Sequence, residues 1–129
     1  MEFPSLLFIE SLQEALNKDS DFNRVTKWSD VKVLLSIGER QYWLKLYGGE
    51  VIDVMEYHPL ANPLGWDYMI SGDHEVWTEL RKTAAPKNVG AALLNSGRIC
   101  VDGNMLQANR MYESTFILIN KIREITTTS

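Results

Sequence analysis

The sequence has little of what metal binding and nucleophilic catalysis require. Among 129 residues there are one cysteine, Cys100, and two histidines, His58 and His74. A lone cysteine excludes an internal disulfide, and its place in the apolar run 99–101 favours a small core or strand residue. Neither histidine stands at ligand spacing from a second His or Cys, so we expect two surface histidines and no metal site.

Phosphate-binding and hydrolase motifs are also missing. The pairs Gly48-Gly49 and Gly97…Gly103 lack the spacing of a phosphate loop and the Lys-Ser/Thr that follows it. No serine stands in a Gly-x-Ser-x-Gly elbow. We therefore expect neither a nucleotide nor any other cofactor.

The charge balance and the absence of long apolar runs argue against two further classes of protein, nucleic-acid-binding proteins and integral membrane proteins. A formal net charge of -4 with a pI near 5.1 disfavours nucleic-acid binding, which needs clustered Lys and Arg. No apolar run approaches the ~20 residues that span a bilayer, so no integral membrane association is expected. The first residues lack a signal-peptide pattern, and the chain does not end in a peroxisomal signal. The default expectation is a cytoplasmic protein.

What is present is typical of one ordinary globular domain over residues 1–129. Hydrophobic residues make up 45% of the chain and charged residues 23%. These fractions argue against disorder. The length is enough for one domain and short for two.

Hydrophobic periodicity predicts helices and strands in a definite order. Period-two alternation, with turns at Gly38 and Gly48-Gly49, indicates an antiparallel block of strands. The predicted strands are 31–37, 41–47, 50–57, 66–71 and 98–102. Helical spacing predicts an amphipathic helix over 5–18, a short helix or turn over 22–28, a helix capped by Asp73, a helix over 86–95 and one long helix from Asn104 to about Glu124. The sequence thus predicts a single five-stranded, mostly antiparallel sheet covered by helices, an α+β fold.

Carboxylates are the only residues with a plausible catalytic role. Asp67, Asp73 and Asp102 fall at strand or helix ends, where capping and turn formation are their usual roles. In an apolar cavity such a group could act as a general base. Nothing in the sequence selects one of the three.

The second face of the predicted sheet carries large apolar groups. Leu34, Trp43 and Tyr47 alternate with the residues expected to face the core. Because wet apolar patches are costly, we expect this face to be covered, either by a second copy in a homodimer or by the first helix or the segment around Trp28.

Three segments resemble the sterol carrier protein type-two (SCP-2) family in order and spacing. They are the hairpin 33–46, the strand-to-helix passage 67–80, and the glycine-bounded last strand entering a helix at 97–111. The resemblance implies a five-stranded sheet and helices enclosing an apolar tunnel for fatty acyl chains, sterols or similar molecules. It does not extend to the first helix or to residues 19–30 except by position.

The leading interpretation is non-enzymatic binding or transfer of a hydrophobic small molecule or lipid. Alternatives are a small enzyme or enzyme accessory with a carboxylate base, and a protein-interaction module that uses the second sheet face. From the resemblance and the apolar stripes of the helices we predict which side chains line the cavity. They are Phe22, Val25, Trp28, Trp77, Leu80, Leu93, Met105 and Met111.

Overall fold

The computed structural model describes residues 3–58, 60, 65–82 and 96–125, which contain five strands and five helices. The strands are β1 (Asp30–Ile37), β2 (Arg40–Tyr47), β3 (Glu50–Glu56), β4 (Tyr68–Gly72) and β5 (Ile99–Gly103). The helices are α1 (Leu6–Asn17), α2 (Ser20–Val25), α3 (His74–Lys82), α4 (Met105–Arg110) and α5 (Tyr112–Glu124). The helix predicted over 86–95, which includes Leu93, lies outside the described residues.

The five strands form one mixed sheet in the order β3-β2-β1-β4-β5. The pairs β1–β2, β2–β3 and β4–β5 are antiparallel. The central pair β1–β4 is parallel, with Val33 opposite Tyr68. The predicted α+β class and mostly antiparallel sheet are confirmed, and β5 lies at one edge of the sheet.

The β2–β3 hairpin turns at Gly48 and Gly49, as the sequence predicts. Both glycines have positive φ, 60° and 95°, as the two central residues of a type I′ hairpin turn do. A Cβ at Gly49 would lie 2.9 Å from the carbonyl oxygen of Asn23, so this turn also sits tightly against the end of α2.

One face of the sheet carries the hydrophobic core, and α1 packs on it beside β3. The side chain of Ser5 accepts a hydrogen bond from Phe8 N at 3.1 Å and caps α1. The apolar stripe of α1 then meets the alternating residues of β1, β2 and β4. The buried side chains include Phe8, Ile9, Leu12 and Leu16 of α1 together with Val33, Leu35, Leu44, Leu46 and Ile70 of the sheet.

The single long helix predicted from Asn104 to Glu124 is wrong, because the chain forms two helices that meet at Met111. Met111 has φ -99° and ψ 15°, outside the helical range. Its carbonyl oxygen accepts hydrogen bonds from Ser114 Oγ at 2.7 Å and Thr115 Oγ1 at 3.1 Å. Such side-chain bonds compete with the helical backbone pattern and bend helices.

The second sheet face is largely covered within the single chain. Leu34 is 2% exposed and Trp43 is 6% exposed, whereas Tyr47 is 57% exposed. The indole Nε1 of Trp43 donates to the carbonyl oxygen of Gly65 at 3.0 Å, so the stretch before β4 reaches over this face. The burial of Leu34 and Trp43 removes the reason for which a homodimer was predicted, and no other contact among the described residues supports one. The first helix, the alternative cover, packs on the opposite face.

An ion pair joins α5 to Asp19, the residue that caps the start of α2. Asp19 Oδ1 accepts a hydrogen bond from Phe22 N at 2.9 Å, and Asp19 Oδ2 lies 3.0 Å from Lys121 Nζ. Burial raises the pKa of Asp19, but the hydrogen bonds from Phe22 and Lys121 outweigh it and hold that pKa below its ordinary value of 3.8. The hydrogen bond with Asp19 in turn raises the pKa of Lys121.

Asp19→Asn is expected to lower the free energy of unfolding by about 1 kcal/mol near neutral pH, because the amide keeps the cap but loses the charge. A lowered carboxyl pKa adds stability above the unfolded-state pKa and loses it as the pH falls through the folded-state pKa. The difference in free energy of unfolding between wild type and Asp19→Asn should therefore be constant from about pH 5 to pH 9. It should shrink below about pH 4, as measured by urea titrations.

Asp21→Asn is the matched control. Asp21 lies 3.7 Å from Arg24 on the same helix, but its side chain is 73% exposed. Exposed pairs of this kind contribute little. Equal effects of the two substitutions at neutral pH would contradict a specific role for the Asp19–Lys121 pair.

Candidate functional site

A groove of about 410 Å³ lies between the edge strand β5 and the helices α4 and α5. We call it the β5 groove and define it by its lining residues. They are Gly97, Ile99, Cys100, Val101, Asp102, Met105, Ala108, Asn109, Tyr112 and Thr115. Its volume falls within the range of small-molecule sites, and most of its walls are apolar.

A tight turn after β5 builds the groove. Gly103 has φ +111°, which lets the chain reverse beside Asp67, and Asn104 N donates to the carbonyl oxygen of Asp67 at 2.8 Å. The side chain of Asn104 then accepts from Gln107 N at 3.2 Å and caps α4. The turn thus sets α4 alongside β5 and β4, with Met105 and Ala108 facing the groove.

Buried polar side chains lie behind the groove at the α4–α5 junction. Tyr68 of β4 is 1% exposed, and burial raises its pKa to about 12 although hydrogen bonds with Thr115 and Ser114 act in the opposite direction. Thr115 also lines the groove, so it joins this buried cluster to the site. The phenol remains neutral over the physiological pH range.

A second depression of about 420 Å³ lies on the other side of Asn109 and Tyr112. Val25 and Trp28 line it, and the guanidinium of Arg110 stacks 4.8 Å from the centre of the Trp28 ring. Trp28 is 50% exposed, so this depression is an open surface with a charged rim.

The largest of the described depressions, about 620 Å³, lies near the amino-terminal segment. Its lining includes Glu39, Arg40 and His74 together with Phe3 and Ile37. The mixed charges and wide opening make it a poorer match to an apolar ligand than the β5 groove.

The structure separates the predicted cavity-lining residues into three groups. Phe22, Trp77, Leu80 and Met111 are buried in the core. Val25 and Trp28 line the depression beside Arg110, and Met105 lines the β5 groove. Leu93 lies outside the described residues. An enclosed cavity bounded by all eight stays a prediction.

Sequence reasoning missed most of the groove. Its remaining side-chain walls come from β5 and from residues 108–115, with Ala108, Tyr112 and Thr115 on one helical stripe. That stripe is visible in the sequence. Its position beside β5 depends on the pairing of β5 with β4, which the local pattern does not indicate. Cys100 is an exposed strand residue at this edge, not a core residue.

The three candidate carboxylates have different surroundings. Asp67 Oδ2 accepts a hydrogen bond from Lys32 N at 2.7 Å and continues the pairing of β4 with β1. The carbonyl oxygen of Asp73 accepts from the backbone of Val76 and Trp77 at the start of α3. Asp102 is exposed and lines the β5 groove. A carboxylate enzyme acting in this groove would therefore have to use Asp102.

The described part of the chain holds no group of three or more His, Cys, Asp or Glu side chains placed to bind a metal ion. His58 and His74 are both exposed, as expected. No helix in the described ranges is long and apolar enough to cross a membrane.

The fold so described is an α+β arrangement of helices on one mixed five-stranded sheet, and it is the SCP2-like fold. A structure of sterol carrier protein 2 superposes with a TM-score of 0.74 at 15% identity, over 97% of this chain and 100% of that chain. A conserved hypothetical protein from Thermus thermophilus, described as possibly a sterol carrier protein, gives a TM-score of 0.72 at 14% identity, over 99% and 92%.

A further similar structure is UbiJ-SCP2, a ubiquinone synthesis protein. It gives a TM-score of 0.57 at 17% identity, over 98% of this chain and 99% of that chain. No protein-family profile and no curated protein sequence matches the chain. At these identities the similarity shows the fold.

Proposed function

We propose that this chain binds a hydrophobic small molecule, such as a lipid, in the β5 groove, and that it acts as a carrier without covalent chemistry. The observation that supports this most is an apolar groove of about 410 Å³ in a chain with the SCP2-like fold. Two of the similar structures are named for sterol carriage and ubiquinone synthesis.

The physical basis of the proposal is burial of apolar surface. The apolar residues that line the groove are Ile99, Val101, Met105, Ala108 and Tyr112. Each methylene that a ligand buries against such walls contributes roughly 0.8 kcal/mol. A hydrocarbon chain therefore binds here without a network of directional hydrogen bonds, and its length matters more than its detailed shape.

Met105→Glu is expected to weaken binding of 1-decanol by at least about tenfold, because it places a charge among the apolar walls and desolvating a charge is costly. Isothermal titration calorimetry would measure the Kd. Met105 is 48% exposed, so the substitution leaves the core intact.

Leu106→Glu is the matched control, since it makes a similar change of charge at the next position of the same short helix. Leu106 is 69% exposed and does not line the groove. Its Kd should equal that of wild type. Equal weakening by both substitutions, or no effect of Met105→Glu on a measurable Kd, would place the ligand elsewhere.

A further inference from the structure

The two edge strands of the sheet differ in how their outer backbone groups are bonded. At the β3 edge, Val51 N donates to Asn17 Oδ1 at 2.7 Å. The carbonyl oxygen of Val51 accepts from Gln13 Nε2 at 2.8 Å and from Asn17 Nδ2 at 3.0 Å, so amide side chains of α1 occupy this edge. At the β5 edge, no described residue pairs with the outer side of the strand. Such an unpaired edge is a template for another extended chain.

The register of β5 identifies the backbone groups that point outward. Asn104 N donates to the carbonyl oxygen of Asp67, and this hydrogen-bonded pair continues the antiparallel register of β4 and β5. Because hydrogen-bonded and non-hydrogen-bonded pairs alternate along such a ladder, the N–H and C=O groups of Ile99 and Val101 point away from β4. Residues 99–103 contain neither proline nor lysine, and their pairing with β4 is regular, so the usual protections of an edge strand are missing here.

The side chains of β5 define the chemistry of a matching strand. Ile99 and Val101 pack against the core and line the apolar β5 groove. On the other side of the strand, Asp102 is exposed and has no ion-pair partner in the described ranges. The nearest basic residue in sequence, Arg98, is already paired, with its Nη2 atom 2.8 Å from Glu79 Oε2. The free charge at this edge is therefore negative.

We infer that β5 is the docking edge for an extended segment of a partner protein, in which apolar residues alternate with basic ones. The segment adds a sixth strand by hydrogen bonding to the outward groups of Ile99 and Val101. Successive side chains of a strand point to opposite faces, so its apolar residues lie on the groove side while a Lys or Arg lies beside Asp102. The backbone hydrogen bonds supply affinity, and the charge pair adds up to about fivefold.

The test titrates the isotope-labelled chain with the peptide acetyl-Val-Lys-Val-Lys-Val-Lys-Val-amide and follows it by NMR. We expect saturable binding, with shifts and slower hydrogen exchange at the amides of Ile99 and Val101. The same peptide with Glu in place of each Lys should bind at least about fivefold more weakly. Methylating the backbone nitrogens of one alternate set of peptide residues should abolish binding, and methylating the other set should preserve it, because only one edge of the peptide faces β5.

Val101→Pro should abolish binding of the lysine peptide and keep the fold, because an outward N–H is the one that a proline on an edge strand can replace. Val101→Ala, which shortens the same side chain but keeps the N–H, should bind within about threefold of wild type. Circular dichroism checks the fold of both variants. If Val101→Pro does not fold, the pair of methylated peptides on the wild-type chain decides.

Asp102→Asn should weaken binding of the lysine peptide by up to about fivefold, because it removes the charge at constant size. Asp53→Asn, the same change at an exposed site on the opposite edge strand β3, should have no effect. Equal binding of the two methylated peptides, or no binding of the lysine peptide at millimolar concentration, would overturn the inference. A dimer that protects the Val101 amide would place a second copy on this edge and overturn the choice of partner. None of these results bears on the binding of 1-decanol, so the proposed function stands or falls separately.

Discussion

Trp77→Ala is expected to lower the free energy of unfolding by about 3–5 kcal/mol, the range observed for deleting a buried aromatic side chain. Trp77 of α3 is fully buried, and its Nε1 donates to the carbonyl oxygens of Ser36 and Gly72, each at 3.2 Å. The side chain thus joins α3 to the ends of β1 and β4. Urea unfolding followed by circular dichroism would measure the loss.

Two further substitutions separate packing from hydrogen bonding at this position. Trp77→Phe keeps an aromatic ring but no donor, and we expect it to cost less than Trp77→Ala, with about 1 kcal/mol due to the lost hydrogen bond. Trp28→Ala removes a half-exposed indole and should cost about 1 kcal/mol or less. A Trp77→Ala effect as small as that of Trp28→Ala would contradict the anchoring role of Trp77.

Gly103→Ala is expected to lower the free energy of unfolding by about 2–5 kcal/mol, from backbone strain together with steric crowding. Gly103 has φ +111°, a conformation that L side chains rarely adopt. A Cβ there would lie 2.9 Å from the carbonyl oxygen of Asp67 and 3.0 Å from Tyr68 Cα. Both contacts are with backbone, which cannot move aside as a flexible side chain can.

Gly97→Ala is a matched control at the other end of β5. Gly97 also has positive φ, +78°, but a Cβ there would meet no atom of the described residues within 4 Å. Gly97→Ala should lower the free energy of unfolding by about 1 kcal/mol, which is the penalty of the backbone conformation without steric crowding. Equal losses of stability in the two variants would show that crowding at the β5–α4 turn contributes nothing.

The alternation of residue types predicted most strands, because one face of each strand packs against the core. Val31, Val33 and Leu35 belong to that core, and β1 begins at Asp30, close to the predicted start. Leu34 and Ser36 on the other face are also buried, so burial itself does not alternate along β1. The parallel pairing of β1 with β4 joins segments about thirty residues apart. Hydrophobic periodicity carries no information about such pairing. It indicates which face of a strand packs against the core, but not which strand lies beside it.

The final helix shows a different limit of sequence reasoning. An apolar stripe runs through residues 105–122 without a proline or glycine, which favours one continuous helix. At the break, the carbonyl oxygen of Met111 accepts the hydroxyl groups of Ser114 and Thr115 as well as the backbone N–H of Thr115. Whether such hydroxyls turn inward depends on what they pack against, here the buried Tyr68.

The predicted set of cavity-lining residues stays a prediction, and the structure places its members in different surroundings. Met105 lines the groove, whereas Trp28, also predicted to line a cavity, is half-exposed beneath Arg110. Large aromatic residues indicate apolar surface, but the stacking of an arginine 82 positions further along the chain cannot be read from spacing. The edge position of β5, which exposes Cys100 and Asp102, follows from strand order and so required the structure.

Native mass spectrometry of the gently purified chain tests the central claim most directly. The account predicts a wild-type monomer carrying an apolar molecule that organic extraction removes and that 1-decanol replaces. Met105→Glu should lose this adduct, and Leu106→Glu should keep it. A wild-type chain without any adduct, and with no uptake of 1-decanol at concentrations that saturate a weak hydrophobic site, would contradict the account.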